Sequence, residues 1–364
     1  MYQFILLILV FFSCIEVFSG LRSKWWFNIS YALMTFVAVF RYGQMSDYFN
    51  YYNVYLYPEQ YLVVDPLFGL IILLFKACSI DYIVFSALWS LICMLLSYRF
   101  FSKDCEYSCL SLLCFYSYTY IMCPMSAIRQ ALCLALLMYL YHDLKEKQFK
   151  RFYICLFIGC FVHLSFIICL ILPFLMHLKL YNRSAMIYMA GAFTVFAIVG
   201  ISVMQFLPFD SERLSFYEGS EGVGIMMRMI LRVLIIIPVL LYKPDFGTDG
   251  YYAKAICLIG YLLYCFFSFN DLIAGRFEYY FRSFICLFVA YLVSNHEWKF
   301  RASTQLVLIM VVHMFLWYKN IDAEIERWSY REGITPLNYP YISVFNKSQL
   351  KETCDIDVFG LDNE

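Results

Sequence analysis

Apolar runs of about 20 residues, the length an α-helix needs to cross a hydrocarbon core, alternate with short polar breaks along most of the chain. They lie at 2–20, 25–41, 82–101, 108–123, 127–142, 184–207, 225–242, 251–269, 281–295 and 303–318. Two further segments break the pattern. Residues 61–78 are short and carry Asp65, Pro66 and Lys76, while 152–178 is long but interrupted by His163 and Pro173. The pattern predicts an all-α polytopic membrane protein of about 10–12 transmembrane helices, with the two interrupted segments as re-entrant or half-helices. The run 2–18 lacks a basic n-region and a small-residue cleavage pattern, so it reads as a retained first span rather than a signal peptide.

Charge distribution favours breaking both interrupted segments. Counted as full spans, they place Lys145, Lys147, Lys150 and Arg151 outside, together with Arg99 and Lys103, against the positive-inside rule. Counted as half-spans, they bring those residues inside with Arg22/Lys24, Lys179/Arg183, Lys243 and Lys299/Arg301. The acidic loop of Asp210, Glu212, Glu218 and Glu221 then lies outside. The outer face gathers residues 41–60, 122–130, the break at His163, the loop 270–282 and the tail after Tyr318. Irregular backbone at membrane depth is tolerated where it lines a wet cavity, so both breaks are expected to open on one outward cavity.

The organisation expected is a transmembrane domain over 1–318 and a polar extracytoplasmic tail over 319–364, packed on the outer mouth and too short for a core of its own. A composition 63% hydrophobic and 15% charged, with mean hydropathy +0.69, agrees with a membrane class. Lysine plus arginine balance aspartate plus glutamate at 27 each, and nothing in the charge suggests nucleic acid. The 15 cysteines are scattered through apolar runs without CxxC pairs or Cys/His clusters, which reads as small buried hydrophobes with no metal or cofactor.

Chemistry is expected from ionisable groups in or beside the apolar runs, because such groups cost about 2.5 kcal/mol or more at membrane depth and persist where they meet a cavity or partner. Arg41, Gly43 and Asp47 leave the second span among tyrosines. Asp47 is a candidate base in an aromatic setting, the plainer reading being an interfacial belt with a solvated acid. Arg129-Gln130 opens the fifth span, where a guanidinium opposes the helix dipole and calls for an anion; phosphate fits, and snorkelling to headgroups is the alternative. His163 sits at a predicted half-helix tip, as a base or donor or as a core histidine. Arg276 and Tyr280 share a helical face before the span near 281, and Arg282 follows. With Arg41 and Arg129 these form a candidate cationic outer cavity able to hold two pyrophosphates. Arg228 and Arg232 read as an interface pair or a further anion site.

Taken in order, Arg41-Tyr-Gly-x-x-x-Asp47-Tyr-x-x-Tyr51, Ile128-Arg129-Gln130-Ala131-Leu132, Phe161-x-His163-x-Ser165 and a late Arg276 with tyrosines resemble the EpsG family of exopolysaccharide and O-antigen (Wzy-type) polymerases, over about residues 1 to 345. The chain departs from the family pattern before Asp47, where Gln44-Met45-Ser46 stands in place of a second glycine. The resemblance implies a multi-pass protein of the bacterial inner membrane, related in fold to GT-C glycosyltransferases, with its site facing outside. It implies transfer of a growing glycan from one undecaprenyl diphosphate carrier onto a repeat unit on another, without a metal. By that resemblance Arg41, Arg129 and Arg276 neutralise diphosphate, and Asp47 or His163 deprotonates the attacking hydroxyl. Lipid-linked oligosaccharides and membrane lipid are the partners implied, with a chain-length regulator and a flippase as candidate protein partners. The competing reading is a lipid-linked oligosaccharide flippase or transporter, which would also need arginines in a cavity but should show internal repeats.

Overall fold

The computed structural model describes residues 1–178, 183–204, 222–268, 270–294, 302–327 and 333–350. The acidic loop from Asp210 to Glu221 and the Lys299/Arg301 pair lie outside the described residues, as do tail positions 328–332 and 351–364. The chain is all-helical; among the described residues one isolated bridge, Arg41 to Ser343, is the only β pairing. Two compact units form, one from Met1–Ile167 with Val289–Glu364 and the other from Ile168–Phe288.

In the first unit, burial is inverted relative to a water-soluble helix. The helix Tyr2–Ser19 exposes Phe4, Leu7 and Phe11 and buries Ser13 and Glu16. The long helix Ala302–Arg327 likewise exposes Val307, Leu308, Val311 and Phe315 while burying Gln305, His313 and Glu324. Apolar outside and polar inside is the arrangement that lipid imposes. Both helices, with Tyr82–Asp104 and Asp249–Phe267, are long and apolar enough to span a membrane.

The predicted span 108–123 becomes a helix Ser108–Phe115 continued by a π-turn Tyr116–Tyr120, and nearly all of it is buried. A segment apolar on every side belongs in a protein interior rather than against lipid, and this one is the centre of the unit. Its first backbone N–H groups are capped from the first helix, whose Glu16 Oε2 accepts from Cys109 N at 2.9 Å and Leu110 N at 3.1 Å. The span predicted at 127–142 is shorter, Ile128–Tyr139, and packs on Tyr82–Arg99.

Both interrupted segments are broken where the sequence carries its polar residues. The first is two short helices, Tyr61–Val64 and Pro66–Ala77, hinged at Asp65, because a residue before proline is driven out of the helical region. The second runs helical over Phe149–Cys160, turns at Phe161 and Val162, and resumes as a 3₁₀ segment Leu164–Ile171.

In the second unit, the helix Asp249–Phe267 is mostly buried against Arg183–Met204, Gly222–Leu241 and Asp271–Arg282. The last of these corrects the loop expected at 270–282. Asn270 caps it, accepting from Ile273 N at 3.0 Å, and its polar composition hid a helix that hydropathy does not register. The span expected at 281–295 accordingly begins later, as Ile285–Ser294. Gly260 lets Phe281 close on the buried helix, since an added Cβ would stand 2.4 Å from the Phe281 Cβ. Gly260→Ala is therefore expected to destabilise this unit by about 1–3 kcal/mol, read as a lower melting midpoint in detergent; an unchanged midpoint would mean the two helices part without cost.

Candidate functional site

The two helix breaks meet. Leu67 N donates to Phe161 O at 3.0 Å, and at that junction Asp65, 1% exposed, collects three groups. Arg129, in the first turn of Ile128–Tyr139, donates from a terminal nitrogen to Asp65 Oδ2. Leu164 N donates to Oδ1 at 3.2 Å, and His163 Nδ1 stands 3.7 Å from Oδ2. The anion that Arg129 needs is thus supplied within the protein. Arg129 and the Leu164 N–H are partners of the kind a carboxylate needs at membrane depth.

Arg129 is held on its faces as well as at its edge. Its guanidinium carbon lies 4.7 Å from the Tyr61 ring centroid and 5.6 Å from those of Tyr51 and Phe68. Its Nε donates to Tyr51 Oη at 3.4 Å, and the second terminal nitrogen donates to nothing among the described residues. The next residue, Gln130, is buried on the same helix.

One helical turn before Tyr51, Asp47 opens the helix Tyr48–Leu56, and Ser126 Oγ donates to its Oδ2 at 3.2 Å. Its other oxygen accepts from nothing among the described residues. The departure from the family pattern has a visible consequence, because Met45 takes φ 72°, a left-handed conformation that glycine would adopt without strain, two residues after Gly43 at φ 58°. Tail residues fix this loop: Tyr42 N donates to Ile342 O at 3.0 Å, Val344 N to Phe40 O at 3.0 Å, and Gln44 Nε2 to Pro340 O at 2.7 Å.

Arg41 is held within the protein through one terminal nitrogen, while its buried Nε donates to nothing among the described residues. It is 3% exposed, and its Nη1 donates to Ala38 O at 2.5 Å and Ser90 Oγ at 2.7 Å, closing the carboxyl end of the helix Lys24–Phe40.

The late arginines belong to the second unit. Arg276 is exposed, whereas Tyr280, four residues on, is fully buried, so the two do not present one accessible face. Glu278 joins Arg232, which donates from Nε at 3.0 Å and Nη2 at 2.6 Å, and Arg282, whose Nη1 is 3.9 Å away. Arg232 also lies 3.6 Å over the Tyr264 ring, so it is an intramolecular partner of Glu278; the side chain of Arg228 lies outside the described residues. Among the described residues, no three His, Cys, Asp or Glu side chains gather as a metal site would need, and each cysteine is a free thiol.

The model of the EpsG family matches residues 24–339. The chain belongs to the EpsG family. No curated protein and no solved structure matches it. The EpsG family is associated with Wzy-type polymerases, and the match takes in Asp47, Asp65, Arg129, His163 and Arg276. Apolar helices of spanning length with inverted burial make this EpsG protein a membrane protein.

Sequence reasoning missed Asp65, which stood out only as an interruption, and missed Ser126. The signal for Asp65 was a carboxylate before proline inside an apolar run, a group that demands a partner at depth.

Proposed function

We propose that this protein polymerises oligosaccharide repeat units carried on undecaprenyl diphosphate, at the outer face of a bacterial inner membrane, as a Wzy-type glycosyltransferase that needs no metal. The observation carrying the reading is the junction at Asp65, where a cation with a spare donor and a histidine backed by a carboxylate converge on two broken helices. The diphosphate is an activated leaving group, so the protein has to neutralise its charge and orient the acceptor. Arg129 offers its remaining terminal nitrogen to a phosphate oxygen. Asp65, facing Nδ1 of His163, favours the tautomer with the proton on that nitrogen, and Nε2 then takes the proton of the attacking hydroxyl. A 3.7 Å separation is long for that hydrogen bond and is expected to shorten in the substrate complex. Asp47, one turn away, accepts from a hydroxyl of the acceptor sugar through its open oxygen. Arg276, exposed in the second unit, is the remaining candidate for diphosphate.

The test pairs topology with product. Single cysteines at Lys147 and Asn270 are probed with a membrane-impermeant thiol reagent, and His163→Ala is scored by glycan gel ladder. Labelling at 270 and not at 147, with the ladder reduced to single repeat units, is the expected result. Labelling at 147 overturns the orientation, and an unaltered ladder removes His163 and returns the transporter reading.

A further inference from the structure

Away from the Asp65 junction, the first unit has a cavity of about 420 Å³ at the turn between the helices Tyr141–Lys145 and Phe149–Cys160. Lys147, Lys150 and Arg151 line it together with Phe149, Ile154 and Cys155, and no carboxylate does. The volume falls within the range of roughly 300–1,000 Å³ that small-molecule sites occupy. The turn brings these side chains together. Gln148 N donates to Asp143 O at 2.8 Å, Lys147 takes φ 57°, and Lys150 and Arg151 stand in the first turn of the helix that follows. Ile154 lies four residues beyond Lys150 and three beyond Arg151, on the face that continues from both.

The three cations are unequally committed. Arg151 sets Nη1 3.3 Å from Asp143 Oδ2 and donates from Nη2 to Tyr139 Oη at 3.1 Å. Lys147 and Lys150 enter no ion pair among the described residues, because Asp143 is taken by Arg151 and Asp104 by Lys145 at 3.3 Å. Glu146, the remaining acid of the turn, is exposed and outside the lining. Two lysine charges therefore face a cavity that supplies no anion of its own.

The wall beneath them is apolar and faces lipid. From Ile154 the helix continues through Phe157, Ile158 and Phe161, all exposed, and in a membrane protein such a stripe lies against acyl chains. One turn, about 6 Å along the axis, separates Lys150 from Ile154. Snorkelling accounts for a lysine at a helix end but not for a cavity that gathers three cations above a lipid-facing stripe. A soluble anion would use the lysines and leave the stripe; a ligand that uses both has an anionic head and an apolar chain.

We propose that this cavity binds the headgroup of an anionic glycerophospholipid, its phosphate paired with Lys147 and Lys150 and an acyl chain along Ile154, Phe157 and Ile158. Basic pockets beside membrane-spanning helices recognise such headgroups. The site is independent of the polymerase reading and of which side of the membrane the turn faces.

Native mass spectrometry of the full-length protein in neutral detergent, titrated with dioctanoyl phosphatidylglycerol, tests the site. One lipid per protein is expected to be retained, and dioctanoyl phosphatidylcholine, whose head carries no net charge, should not displace it. Lys147→Gln/Lys150→Gln should weaken retention about 30-fold, roughly fivefold for each charge removed. Lys24→Gln/Lys103→Gln, which removes two exposed lysines outside the cavity, should leave retention unchanged. Equal loss in both variants would reduce the binding to general surface charge and overturn the site, as would undiminished retention in the first or displacement by phosphatidylcholine. Glycerol phosphate, the head without its chains, separates a lipid from a soluble phosphate. It should bind far more weakly than the lipid, and Ile154→Gln should weaken the lipid severalfold. If the head alone binds as well, or Ile154→Gln retains the lipid in full, the ligand is not a lipid and the proposal falls.

Discussion

Asp65→Asn is expected to abolish long glycan while the protein remains in the membrane. The amide keeps the shape of the side chain but loses the charge that pairs with Arg129 and that faces His163 Nδ1 at 3.7 Å. Loss of the orienting carboxylate of a serine-protease triad costs about 10⁴-fold in rate. Stability also falls, because Arg129, its side chain 15% exposed, is left without its counter-ion. The cost lies at or below the roughly 3–5 kcal/mol of a fully buried pair broken on one side. The double variant Asp65→Asn/Arg129→Gln removes both charges and should recover most of the melting temperature without recovering polymer, which separates the structural part of the effect from the chemical part. A full ladder from Asp65→Asn would take this residue out of the mechanism.

The breaks at Asp65 and His163 were legible because a proline and polar groups interrupt otherwise apolar runs, and the backbone obeys those signals locally. That the two breaks join, and that Asp65 is the group they share, was not. The contact of Asp65 with Arg129 joins distant parts of the chain and leaves no periodic trace. Arg129 and His163 were found by the cost of their position, and the same cost argument applied to Asp65 points to its partner. Arg41 shows what the packing adds: a helix carboxyl end and a serine take one of its terminal nitrogens, both invisible in the sequence, while its buried Nε donates to nothing among the described residues. The helix Asp271–Arg282 was missed for a related reason. Hydropathy finds apolar length, and a short polar helix packed beneath its neighbours has none to find.

Arg129→Lys is the sharper test of what the cation is for. The guanidinium divides its functions by geometry: one terminal nitrogen on Asp65, Nε on Tyr51, its face against Tyr61, and a second terminal nitrogen left over. A lysine keeps the charge, and with it most of the pairing to Asp65, so the fold should lose only about 1 kcal/mol from the weaker cation–π contact. It cannot hold Asp65 and a phosphate oxygen in two directions at once, because an ammonium is a point charge without the planar fork. Polymer formation should therefore fall by about 10²-fold, the size of one lost charge-assisted hydrogen bond, with a small shift in melting temperature. Arg129→Ala should lose both. A ladder of normal length from Arg129→Lys would mean that charge alone suffices at this position, and that the spare nitrogen of Arg129 binds no phosphate in the reaction.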